Sequence, residues 1–195
     1  MNFLAHLWLA DRTQTSLAGA VLGDVVRGSD LSEYPDALAQ GIRLHRRVDA
    51  LTDRHPALLP LRETFPVGTR RYAGIVLDLV GDYALAQDWA AHAAESLPAF
   101  CTRAGEAMAE AGMWFERAGS RAPTAISFTE LLMSYATPPG IDRALARTAD
   151  RLRHPAPLLT AAADWQRHFE PLRSALPLVL DDLEAAVRST AAHRA

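Results

Sequence analysis

The sequence predicts an all-α fold, a single compact helical bundle over residues 1–195. Three observations lead there. Ala and Leu are abundant while β-branched runs stay short, apolar residues recur at helical spacing, and no alternating apolar–polar stretch longer than four residues occurs. Apolar residues make up 49% of the 195, enough for a sizeable core in one domain and too short a chain for two.

The elements follow in order. "MNFLAHLWLADR" opens with an apolar run that lacks a basic flank and meets Asp11 early, so it reads as a buried helix and not as a signal peptide. "QTSLAGAVLGDVVRG" puts Leu17, Val21, Leu22, Val25 and Val26 on one stripe, with Thr15 or Ser16 as its cap. "YPDALAQGIRLHRRVDALTDR" starts with Pro35 near its first turn and contains Gly41, an unfavourable residue inside a helix. "HPALLPLRETF" is short and broken by Pro60. The stretch from Thr69 to Glu95 is the longest helical pattern, and its almost wholly apolar centre predicts burial on most sides. Further helices are expected over 96–119, ending at Gly119, and over 124–136, stopped by Pro138 and Pro139. "GIDRALARTADRLR" is amphipathic, and 156–190 forms one or two helices broken at Pro171 or Pro177. The sum is about seven to nine helices.

Composition bounds function. The formal net charge of −3 argues against a nucleic-acid binder driven by bulk charge. All 20 basic residues are Arg, whose forked donors suit phosphate. A lone Cys101 rules out an intrachain disulfide and fits a reducing compartment. No stretch approaches the roughly 18 apolar residues of a membrane span, so a cytoplasmic setting is expected.

The chemistry-bearing residues are the polar ones that interrupt apolar helices. His45, Asp49 and Asp53 are each four apart. On a helix they diverge by about 40° per step, so His45 and Asp49 share a face and Asp53 sits on its shoulder. They are either ligands for a divalent cation or, for the two acids, solvated partners of Arg46, Arg47 or Arg54. Asp78 and Asp82 repeat the four-residue spacing inside the most apolar helix, where a carboxylate needs a partner or a metal. Asp24 stands among Val21, Leu22, Val25 and Val26, within reach of Arg27 as an ion pair, or open to an ion or phosphate. His6 lies in an apolar helix, as a core imidazole or a ligand. Helical bundles commonly gather ligands from separate helices, and this donor set suits an oxygen-preferring cation better than structural zinc.

The stretches "MNFLAHLWLA", "GAVLGDVVRG", "GIRLHRRVDALTD" and "RRYAGIVLDLVGDYALAQDW" resemble the acyl carrier protein phosphodiesterases, a family similar to the HD-domain metal-dependent phosphohydrolases. The resemblance is strong from residue 1 to about 92 and looser beyond. It implies an HD-phosphohydrolase-like bundle that removes 4′-phosphopantetheine from the serine of holo-acyl carrier protein. It also implies a divalent metal, Mn²⁺ above Mg²⁺ or Fe²⁺, and no nucleic-acid or membrane partner. On that reading His6, His45, Asp49 and Asp78 hold the metal, and Asp24, Asp53, Asp82 and Tyr83 lie at the catalytic centre. Arg27, Arg46 and Arg47 face the phosphoryl oxygens, while Arg46, Arg47, Arg54, Arg70 and Arg71 meet the acidic carrier protein. Where the family usually has an Asp-His pair this chain has Asp82-Tyr83, a departure that bears on the mechanism. Tyr can donate a hydrogen bond to phosphate but is a poor base. Two other expectations stand beside this one: a phosphohydrolase of nucleotides or other small phosphoesters, and a carrier-protein-binding relative without turnover.

Overall fold

In the computed structural model residues 1–192 are described, so the last three residues of the expected bundle lie outside the described residues. Among the described residues there are twelve α-helices, two short 3-10 segments and no strand. The helices are α1 (Phe3–Arg12), α2 (Leu17–Leu22), α3 (Asp36–Thr52), α4 (Leu59–Glu63), α5 (Ala73–Gln87), α6 (Trp89–His92), α7 (Leu97–Glu110), α8 (Gly112–Arg117), α9 (Ala125–Ser134), α10 (Pro138–Asp150), α11 (Ala156–Ala162) and α12 (Phe169–Ala192).

The apolar opening run becomes α1, whose residues Leu4 to Ala10 are all buried. It touches α2, α3, α5 and α12. A helix apolar on every side can be stable in water only as the filling of a bundle, and that is its position. Helix α5 is the second such element, with ten buried residues and α12, α10 and α1 packed around it. Each fully buried leucine of these helices contributes roughly 2 kcal/mol of transfer free energy.

The helix count exceeds the expected seven to nine because long patterns are interrupted. The run from Thr69 to Glu95 opens with a 3-10 turn at Arg70–Tyr72 and breaks at Asp88, which has left the helical region (φ −102°, ψ 17°). The run from 96 to 119 breaks at Ala111, and Gly119 ends it with φ +79°, a conformation that favours glycine. The C-terminal run moves the other way. Helix α12 passes through both expected breaks, because Pro171 falls in its first turn, where no N–H partner is needed, and Pro177 is accommodated inside the helix. Pro138 and Pro139 open α10 behind the Thr137 cap as much as they stop α9.

Gly41 is explained by a helix crossing. A Cβ on Gly41 would stand 2.7 Å from the Gly19 Cα, and one on Gly19 would meet the Leu38 carbonyl at 2.6 Å. Helices α2 and α3 therefore touch backbone to backbone, and Ser16 caps α2 through the Gly19 N–H. That close approach sets the loop after α2 against the middle of α3.

Candidate metal centre and its cleft

Four segments deliver polar groups to one place. Helix α1 brings His6, α3 brings His45 and Asp49, the turn after α2 brings Asp24, and α5 brings Asp78. The two imidazoles stack with ring centroids 3.9 Å apart and planes 18° from parallel. Asp49 serves both, with Oδ1 3.0 Å from His6 Nε2 and Oδ2 3.1 Å from His45 Nε2. Asp24 Oδ1 lies 3.4 Å from His45 Nε2. The Met1 ammonium stands 3.0 Å from Asp78 and 3.8 Å from Asp49. Gly23 makes room for this arrangement, since a Cβ there would be 2.3 Å from the His45 ring.

Burial and charge oppose each other here. Burial disfavours a charged His45, but the Asp24 and Asp49 carboxylates outweigh it and raise the imidazole to about 9. Burial wins at His6, which Asp49 supports and which the neighbouring His45 and Met1 charges repel, so its pKa is lowered. Burial would raise Asp49, yet the two imidazoles hold it well below the usual carboxylate range.

The donors fit a divalent cation on three observations. One ligand atom from each of His6, His45 and Asp49 lies within 4.8 Å of the others. The set of imidazole nitrogen and carboxylate oxygen is what such ions take. A cation, the Met1 ammonium, already rests between Asp49 and Asp78. The Nδ1 atoms of both imidazoles are buried without a hydrogen-bond partner, so packing rather than a second hydrogen bond fixes the rings.

The cluster opens into a cleft of about 700 Å³. It is lined by the acids Asp24, Asp49, Asp53 and Asp78, by the apolar Phe3, Ile75, Leu79 and Leu131, and by the basic Arg27, Arg147 and Arg151. The α10 arginines and Tyr135 of the α9 end did not stand out in sequence. The signal available was the four-residue spacing of Arg147 and Arg151 at the end of α10, off the Ile141 and Leu145 stripe.

Several expected site residues are placed elsewhere. Asp82 is fully buried and turned to the amino end of α1, where its oxygens accept the N–H groups of Leu4 at 2.7 Å and Ala5 at 3.1 Å. The cation that the sequence seemed to demand is replaced by a helix N-terminus, which supplies donors and partial positive charge. Burial still pushes its carboxyl up to about 7 against those donors. Tyr83 does not line the cleft; its ring packs against Trp165 and Phe169, so the Asp82-Tyr83 departure leaves the cleft wall untouched. Asp53 reaches the cleft edge, exposed and paired with Arg62 at 2.6 Å.

Three expected phosphate or docking arginines are turned to their own backbone. Arg46 donates to the Val26 carbonyl, Arg47 to the Ala186 carbonyl, and Arg70 to the Phe65 and Glu63 carbonyls. Main-chain carbonyls are strong acceptors, and each of these guanidiniums takes one within its reach. Arg71 lies over the Tyr72 ring at 4.8 Å. Arg27 alone of that set faces the cleft, and its expected pairing with Asp24 is not made, because Asp24 turns to His45.

Comparison with known proteins identifies the family of the chain. The acyl carrier protein phosphodiesterase family model matches residues 1–183. A protein named acyl carrier protein phosphodiesterase from Salmonella agona is 46% identical over 89 residues, 46% of this chain and 46% of its own length. One of the same name from Photorhabdus laumondii is 46% identical over 89 residues, 45% of its length. The matched stretch thus spans about half the length of these curated relatives. No solved structure matches the chain. Since the family model spans nearly the whole sequence, the chain belongs to the acyl carrier protein phosphodiesterase family.

Proposed function

We propose that this protein hydrolyses the phosphodiester between 4′-phosphopantetheine and the serine of holo-acyl carrier protein, in the cytoplasm where that carrier works. The observation that carries the reading is the His6–His45–Asp49 cluster, whose Asp49 lines, with Asp24 and Asp78, a cleft that Arg27, Arg147 and Arg151 also line. The names of the relatives, matched over about half of their length, point to the same substrate.

A divalent cation, with Mn²⁺ the first to try, would be held by His6, His45 and Asp49 with Asp78 or Asp24. When bound it would offset phosphate charge and make a water more acidic. The chain's own groups do the rest. Arg27 faces the phosphoryl oxygens as charge builds on them. The apolar side formed by Phe3, Ile75 and Leu79 excludes water from the pantetheine arm. The water oxygen bonds to phosphorus as the bond from phosphorus to the serine oxygen breaks. Asp24, half-exposed at the cleft, takes the water's proton, and the serine oxygen gains one. Asp82 and Tyr83 hold the helices behind the cleft and have no role at the reacting atoms.

Mass spectrometry of holo-carrier protein after incubation with the protein and Mn²⁺ tests this directly. Loss of the phosphopantetheine mass is the expected result. An unchanged carrier together with turnover of a nucleotide or other small phosphoester would transfer the site to that substrate class.

A further inference from the structure

The cleft holds four carboxylates and three guanidiniums, and the two sets are not paired with each other. Asp24 and Asp49 engage the imidazoles, Asp78 the Met1 ammonium, and Asp53 the guanidinium of Arg62 from outside the cleft. Arg27, Arg147 and Arg151 make no hydrogen bond or ion pair among the described residues. Arg147 lies in the last turn of α10, Arg151 caps the end of that helix four residues on, and Arg27 lies in the segment after α2. Because the cleft carboxylates are engaged elsewhere, the donors of the three guanidiniums are left for an anion from solution. The buried Tyr135 hydroxyl lines the same wall beside Asn2, and burial pushes it up to about 12, so it keeps its proton and can only donate to an anion.

We propose that Arg147 and Arg151, at the C-terminal end of α10, form with Arg27 an anion-binding wall that grips the phosphoryl group and holds phosphate monoesters more tightly than diesters. The inference rests on the reading above and extends it. The forked donors of arginine match phosphoryl oxygens two at a time. A diester presents one negative charge to the wall, whereas the monoester left after hydrolysis presents nearly two, and the Coulomb attraction rises with that charge. The leaving product is therefore the better ligand, and free phosphate competes with substrate.

The test is calorimetric titration of inorganic phosphate, and of dimethyl phosphate as the diester comparator, into the full-length protein above the second pKa of phosphate. Saturable phosphate binding, weaker for dimethyl phosphate, is expected. The exposed pair Arg147→Gln and Arg151→Gln should lower phosphate affinity roughly tenfold or more, about 1.4 kcal/mol or more. Arg121→Gln, outside the cleft, should leave it unchanged. Phosphate binding that is equal in the double variant, that is absent in the parent, or that vanishes when metal is chelated overturns the proposal. Because binding is read without turnover, failure to hydrolyse holo-carrier protein would count against the proposed function and leave this result standing.

Discussion

Asp82, in the interior of α5, accepts the N–H of Leu4 at 2.7 Å and so ties the most buried helix of the fold to the amino end of α1. His6 follows two residues later in α1, so this bond sets the depth at which one imidazole enters the cluster.

Asp82→Ala removes the acceptor for two buried N–H groups and leaves a void. The expected loss is about 3 kcal/mol of stability, read as a lowered thermal midpoint. Metal affinity should fall less than it does on loss of a cluster residue. A melting point equal to the parent's would show that the bond contributes nothing.

Asp49 bridges both imidazoles and is the residue whose loss should do most harm to cation binding. Asp49→Ala is expected to reduce Mn²⁺ affinity at least about a hundredfold by calorimetry and to abolish holo-carrier turnover, while Tyr83→Phe leaves both within about twofold. Equal Mn²⁺ binding in Asp49→Ala would remove the cluster from consideration as a metal centre.

In metal-free protein the His45 imidazole is raised to about 9 from 6.5 by Asp24 and Asp49, so its charge stabilises the fold. That contribution is fully present below about 6.5 and is lost as pH rises through 9. It amounts to about 3 kcal/mol at most. Asp49 is shifted the opposite way, so its contribution is present above 3.8 and is lost as pH falls below that value. The stability difference between parent and His45→Gln should therefore shrink across the alkaline limb. Cation binding should strengthen across the same range, since proton and metal compete for Nε2. A difference independent of pH would show that His45 stays neutral.

Gly23→Ala places a methyl group where the His45 ring now lies. The ring must move, and the expected outcome is loss of cation affinity and turnover with a stability cost of about 1–3 kcal/mol. Gly41→Ala should cost a similar amount of stability by prising α2 from α3. Wild-type activity in Gly23→Ala would mean that the position of His45 is not critical.

The sequence by itself determined the helical fold, the burial of α1 and α5, and the short set of acids and imidazoles worth watching. Periodicity and composition are local, and a carboxylate among leucines announces itself without coordinates. It could not say which acid would be answered by what. Asp78 and Asp82 share a spacing and a setting, yet one meets an ammonium at the cleft and the other a helix N-terminus behind it. The same limit applied to the arginines. Arg46 and Arg70 found carbonyls 20 and five residues away in the chain, while Arg147 and Arg151, which the sequence did not single out, line the same cleft as Asp49. Partners for charged groups are set by how helices distant in sequence cross, and the glycine contact of α2 with α3 is one such crossing that only the tertiary structure reveals.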